Sequence, residues 1–336
     1  MITVAAFTGG HNIPSARFRV RQYIPALKKL GIQIKEYYAI LGCYPPNKSI
    51  LRPIWGIGTL IQRVPSIIKS YNADITLLQR EMLSTFTTIE ILTKRPRILD
   101  VDDAIWLNRE GYAKKLSRLC DVIICGNSFI AETFQLWNSN IYILPTTVDC
   151  DRFRPRKTNI NHNPVIVWSG TSSGFPYLYG IENALVRVLE QYPNTKLRIV
   201  SDKSPNFKNL SLKRIEFLQW NPEVEVSSLQ SANIGIMPLE DSLWARGKCS
   251  YKMLTYMACG LPVVGSPVGM NKEILSLEKV GHSASGQDEW IDSLVHLLDD
   301  KNCSEQLGRN GRAFVESQYS LNAIAPKFAE IIKTYA

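Results

Sequence analysis

The sequence predicts an α/β protein of two doubly wound domains facing a central cleft. Three observations carry this. Strand-like and helix-like segments alternate along the whole chain, the alternation breaks once at a polar stretch near the middle, and 336 residues exceed what one core ordinarily holds.

The first series of strands reads ITVAAFTG (2–9), IQIKEYYA (32–39), ITLLQR (75–80), RILDVDD (97–103), VIICGN (122–127) and IYILPT (141–146). Their short apolar runs, rich in β-branched residues and separated by helix-length segments, are those of buried parallel strands. A second series follows at 165–171, 197–201, 215–220, 234–239 and 261–266. Between the two lies DCDRFRPRKTNINHNP, whose Pro, Asn and charged residues without an apolar period mark a linker, with the hinge at 152–163. This gives a first domain over 1–156 and a second over 157–319. The apolar spacing of SLNAIAPKFAEIIKTYA (320–336) suits a last helix that packs back on the first domain.

Composition narrows the function classes. A 45% hydrophobic and 21% charged chain is an ordinary globular one without repeats. No run approaches the roughly 18 apolar residues of a membrane span, and MITVAAFTGG lacks a basic leader. Seven cysteines without a C-x-x-C pair fit neither a disulfide framework nor a zinc site. A cytoplasmic protein is expected. Residues 1–156 hold 21 Lys and Arg against 12 Asp and Glu, so all of the net +9 lies in the first half. That imbalance is either solubility charge or the mark of an anionic partner such as a membrane surface. Nucleic acid is disfavoured, because the cations are not interleaved with an aromatic stacking platform.

The most informative stretch is GKCSYKMLTYMACGLPVVGSPVGMNKEIL, residues 247–275. Lys248 and Lys252 bracket a helix start near Ser250: either their ammonium groups and the unpaired amides converge on one anion, or they are ordinary solvated lysines. Gly260 stops the helix and LPVV supplies a buried strand. A phosphate group is the expected ligand, with Tyr251 beside the lysines and Arg246 just before them as a further diphosphate contact. After the first strand of the second series, WSGTSSG places Gly170, Thr171 and Ser172 at the same sheet edge. There a glycine permits close backbone approach and the hydroxyls donate to phosphate. The alternative is a plain turn.

In the first half, FTGGHNIPSARFRV carries Gly9 and Gly10 in the turn after strand one, with Ser15 as the expected cap of the next helix. His11 reads either as a proton carrier or as a surface loop residue. Arg17 and Arg19 put positive charge at a helix start, which either an anionic ligand or plain solvent exposure explains. Arg21 is expected to share the face of Arg17. Asp102 and Asp103 end the strand RILDVDD, so at least one carboxylate is expected to point into the cleft for substrate binding or proton transfer, or else to cap the helix that follows. Arg80 and Glu81 read as an ion pair, with each other or with nearby residues.

TYMACGLPVVGSPVGMNKEIL resembles the E-A-M-A-C-G-x-P-V-V pattern of retaining family-4 glycosyltransferases. The resemblance extends over nearly the whole chain and implies the GT-B arrangement of two Rossmann-like domains. It further implies a nucleoside-diphosphate-sugar donor on the second domain and a glycan or lipid-linked acceptor on the first. Retained anomeric configuration, with neither metal nor cofactor, completes the expectation, at the inner face of a membrane in polysaccharide biosynthesis. The family's E-x7-E acids are replaced by Gly247 and Thr255, which leaves Thr255 to meet the donor ribose and shifts the work to the lysines. Nucleotide-sugar epimerases of the same fold, and non-catalytic nucleotide-sugar binding modules, are the alternatives. Conversion of donor without acceptor marks the first, and binding without turnover the second.

Overall fold

The computed structural model describes residues 1–11, 13–156, 163–277 and 279–336. Two parallel six-stranded sheets form, each in its own compact unit. Of the hinge expected at 152–163, residues 157–162 lie outside the described ones.

The first unit comprises Met1–Thr147, Arg246–Cys249 and Leu321–Ala336. Its strands are β1 (Ile2–Thr8), β2 (Ile32–Tyr38), β3 (Ile75–Gln79), β4 (Arg97–Val101), β5 (Val122–Cys125) and β6 (Ile141–Ile143), in the order β2-β1-β3-β4-β5-β6. The central β3, β4 and β5 are buried along their whole length, as parallel strands covered on both faces must be. The edge strand β2 alternates buried and exposed residues at its start. The helix Leu321–Tyr335 closes this core with Ile324, Phe328 and Ile332 against Val4, Leu77 and Ile124. Phe328 meets Tyr23 edge-on at 5.1 Å, and burying such a ring stabilises by about 1.5–3 kcal/mol.

The helix Arg52–Ser70 behaves in the opposite way. Its buried residues are Thr59, Arg63, Ile67 and Ser70, three of them polar. Arg63 fixes it to the sheet, donating to the carbonyls of Tyr37 at 2.7 Å and Thr8 at 2.6 Å. Burial pushes the Arg63 guanidinium down to about 10, since desolvation disfavours the charged form.

The second unit comprises Val148–Ala245 and Ser250–Ser320. Its strands are β7 (Val165–Ser169), β8 (Lys196–Ser201), β9 (Ile215–Gln219), β10 (Ile234–Met237), β11 (Val263–Gly265) and β12 (Gly281–Ser283), in the order β12-β11-β10-β7-β8-β9. Its core gathers Ile166, Leu185, Leu197, Ile236 and Trp290. Gly260 at φ +76 ends the helix Tyr251–Ala258, its amide donating to Met257.

The expected boundary at 156 moves to Thr147–Val148, because backbone and side-chain bonds tie the following segment to the second unit. Val148 donates to the Tyr319 carbonyl, and Arg312 donates to the carbonyls of Cys150 and Phe153. The strand β12 is absent from the sequence reading: GHS carries no apolar run. Pairing with β11 creates it, and a Cβ on Gly281 would lie 2.1 Å from the Val263 carbonyl oxygen.

Candidate functional site

Each sheet reverses its strand order once, between β1 and β3 in the first unit and between β7 and β10 in the second. Ligands of open α/β sheets bind outside the carboxyl ends of strands at such a switch point. The sequence candidates are best judged by their place at these two edges.

In the second unit, β7 ends at Ser169 and Gly170 follows, its amide donating to the Val200 carbonyl at 3.0 Å. The Lys252 side chain runs across this turn: a Cβ on Gly170 would come within 2.3 Å of Lys252 Cε and 3.0 Å of Trp168 Cη2. Lys252 Nζ stands 5.4 Å from the centre of the Trp168 ring, within reach of a cation–π attraction. Trp168 is buried and cannot give way, so glycine is required where lysine, tryptophan and backbone converge. Trp168 escaped the sequence reading, because a buried tryptophan on a strand looks like core.

The hydroxyl candidates divide. Thr171 and Ser173 are both exposed to some degree and share a hydrogen bond of 2.7 Å. Ser172 instead gives its amide and its hydroxyl to Asp202, at 2.6 and 2.9 Å. Partial burial raises the Asp202 pKa, and these Ser172 hydrogen bonds outweigh it, holding the carboxyl below the ordinary range. Ser172 therefore shapes the turn and its donors are committed. Ser250 is likewise spoken for: buried, at φ +48, it donates to Asn271 Oδ1 at 2.6 Å. Thr255, expected at the ribose, is 1% exposed and donates to the Lys252 carbonyl at 2.7 Å. Its hydroxyl is absorbed by the helix, as threonines one turn on commonly are. Tyr251 opens that helix and is half-buried.

The segment Arg246–Cys249 clusters with the first unit, which divides Lys248 from Lys252. Asn127 and Cys249 help to hold it, Cys249 Sγ donating to the Asp102 carbonyl at 3.3 Å. Asn127 caps the helix Ser128–Gln135 through Oδ1 and donates Nδ2 to the carbonyls of Arg246 at 3.4 Å and Lys248 at 3.2 Å. The position of the family's first acid, Gly247, has no room for a side chain: a Cβ would lie 2.9 Å from the Ala104 amide nitrogen. Backbone cannot yield, so the loss of that acid has a steric reason.

At the edge of the first unit, Gly9 and Gly10 follow β1 and are buried. A Cβ on Gly9 would meet Cys43 Sγ at 2.7 Å. Arg80, at φ +61 after β3, reaches Asp102 and Asp103 after β4, at 2.5 Å each. Both aspartates are turned to this guanidinium, so neither side chain caps the following 3-10 turn. The partner of Arg80 is this pair and not Glu81. Burial lowers the Arg80 pKa, and the two carboxylates more than reverse this, holding it well above its usual value. Arg80 is the residue that the sequence reading undervalued, because its partners lie on the next strand.

Four further candidates take other places. Arg19 is an interior residue, 1% exposed, in a two-pronged ion pair with Asp100 that reaches 2.5 Å, and donating to the Leu144 carbonyl. Its charge answers a buried carboxylate, not an acceptor. Ser15 lies inside the helix Pro14–Arg19, whose N-terminal flank is Ile13, and donates to Gln79 Oε1 at 3.3 Å. Arg21 sits in a separate 3-10 turn, pairs with Glu36 and donates to the Gly10 carbonyl. It thereby braces the glycine turn instead of sharing the face of Arg17, whose guanidinium stacks on Phe18 at 4.6 Å. His11 is exposed and edge-on to Tyr38 at 5.7 Å. Ligand atoms of His282, His296 and Cys303 lie within 4.8 Å of one another, a group that has no C-x-x-C spacing to announce it in the sequence.

Residues 164–300 match the family model for glycosyl transferases group 1. The chain has the GT-B fold. Sucrose-phosphate synthase from Thermosynechococcus elongatus is similar in structure, with a TM-score of 0.73 at 16% identity over 99% of both chains. An Anabaena HepE structure with UDP and glucose gives 0.69 at 13% identity, over 99% of this chain and 100% of that one. In sequence, a stretch of 148 residues is 27% identical to a GDP-mannose-dependent monoacylated α-(1-6)-phosphatidylinositol monomannoside mannosyltransferase of Corynebacterium glutamicum. That match covers 43% of this chain and 37% of the relative's length.

Proposed function

We propose that the protein is a glycosyltransferase that moves a sugar from a nucleoside-diphosphate-sugar donor to a glycan or lipid-linked acceptor. The observation that carries this is Lys252, stretched over Gly170 above Trp168 at the switch point of the second sheet, within the stretch matched by the family model. The charge that develops on a departing diphosphate is met there by one cation, the first amides of the helix Tyr251–Ala258 and the hydroxyls of Thr171 and Ser173.

The donor-side assignment thus rests on Lys252, Gly170, Thr171 and Tyr251. The acceptor side is assigned to the first unit's edge, at Gly9, Gly10, Asp102 and Asp103. Held by Arg80 at 2.5 Å each, the aspartates serve as hydrogen-bond acceptors that orient a sugar hydroxyl. Retention of configuration is carried by the likeness of residues 255–275 to the retaining pattern. The nucleotide sugar is a co-substrate, protein cations take the place of a metal, and the setting is cytoplasmic at a membrane surface.

Lys252→Ala tests the reading. It should weaken UDP, GDP or ADP binding by about tenfold or more, the worth of a hydrogen bond to a charged group, with the unfolding midpoint unchanged. Calorimetry showing the same affinity as the wild type overturns the donor site. Conversion of a nucleotide sugar in the absence of any acceptor replaces transfer by epimerisation.

A further inference from the structure

The helix Arg52–Ser70 lays polar residues on the protein and leaves its apolar stripe outside. Ile54, Ile57, Ile61 and Ile68 are 73, 61, 64 and 66% exposed. With Val64 they recur at helical spacing on one face, within an arc of about 80° at 100° per residue. The patch continues past both ends of the helix, through Ile50 and Leu51 before it and Tyr71 after it, and Ile40 and Leu41 are exposed on the neighbouring loop. That loop belongs to the same surface: Trp55 Nε1 donates to the Leu41 carbonyl at 3.2 Å. A soluble surface rarely gathers this much contiguous apolar area without a partner for it.

Charge identifies the partner. From residue 37 to residue 73 the sequence contains no Asp or Glu, while Lys48, Arg52, Arg63 and Lys69 are present. Arg63 is consumed inside, and the other three are exposed. A folded protein partner of either sign would be met by mixed charge at the rim of such a patch. An apolar stripe whose own segment, 37–73, carries cations and no acids is instead the pattern of a helix lying in the interface of an anionic bilayer, its side chains among the acyl chains and its cations at the headgroups.

The geometry points to the Arg52–Ser70 helix, with Ile40 and Leu41, as the surface by which the first unit docks on an anionic lipid membrane. This deepens the membrane setting of the proposed transferase and gives it a defined face. The stripe is already formed and exposed, so docking needs no rearrangement of the helix, and Arg63 keeps that face turned outward from within.

The test is co-sedimentation of the full chain with vesicles of phosphatidylcholine alone and of equimolar phosphatidylcholine and phosphatidylglycerol. The wild type should bind the anionic vesicles and not the neutral ones. Ile57→Glu/Ile61→Glu should lose binding by more than tenfold with unchanged thermal unfolding, both positions being exposed. Arg52→Gln/Lys69→Gln should weaken binding by about fivefold for each cation removed. Leu212→Glu, at an isolated exposed leucine of the second unit, should change nothing. Equal binding by Ile57→Glu/Ile61→Glu and wild type overturns the assignment. So does a wild-type dimer in size exclusion that this variant makes monomeric while vesicles are ignored, which would give the stripe to a second copy. Nucleotide binding, measured in parallel, reports on Lys252 alone, so failure of the donor site and failure of the membrane surface are told apart.

Discussion

The helices Arg52–Ser70 and Leu321–Tyr335 belong to the same unit and have similar amphipathic patterns, yet they face opposite ways. The second buries Ile324, Phe328, Ile331 and Ile332. The first buries Thr59, Arg63, Ile67 and Ser70 and shows its isoleucines to the outside. An apolar stripe thus says where a helix is greasy and does not say what the grease is for. The polar face decides: Arg63 donates to two sheet carbonyls, whereas the last helix meets its sheet mainly through apolar side chains.

Three substitutions sharpen the contrast. Phe328→Ala should have the largest effect, about 3–5 kcal/mol, since it leaves a cavity under Tyr23 in a packed core. Denaturant unfolding reads it directly. Arg63→Met should cost about 1–3 kcal/mol, because the carbonyls of Thr8 and Tyr37 lose their donor while a costly buried charge is removed. A gain in stability in that variant would show that the charge, and not the carbonyls, dominates the outward orientation. Ile61→Ser should be nearly silent, within about 0.5 kcal/mol, because the side chain rests on nothing. If its midpoint fell as far as that of Phe328→Ala, the two helices would not differ as described.

The parts that local pattern controls were legible. Strand runs such as ITLL and VIIC, the Gly260 stop and the group 1 motif each declare themselves within a dozen residues. The parts set by distant partners were not. Arg19 looks like an anion receptor until Asp100, far along the chain, arrives beside it to form an interior ion pair. Asp102 and Asp103 read as catalysts or caps because Arg80 reaches them from another strand. Ser15 resembles a cap, but Pro14 begins the helix one residue earlier and leaves Ser15 to donate to Gln79. The strand β12 exists only because β11 gives it a partner. In the second unit, Lys252 was visible as a cation at a helix start, whereas the ring beneath it was hidden among core aromatics.

The division of the chain carries a consequence for its modularity. The polypeptide passes from one unit to the other at 147–148, returns at 245–246, leaves again at 249–250 and comes back at 320–321. A gene split at the middle would therefore not yield two independent halves. The first product would lack the Leu321–Tyr335 helix that seals its sheet, and the second would carry that helix with nothing to cover. Recombination between relatives would have to exchange three separated segments together, so the two units are bound to be inherited as one piece.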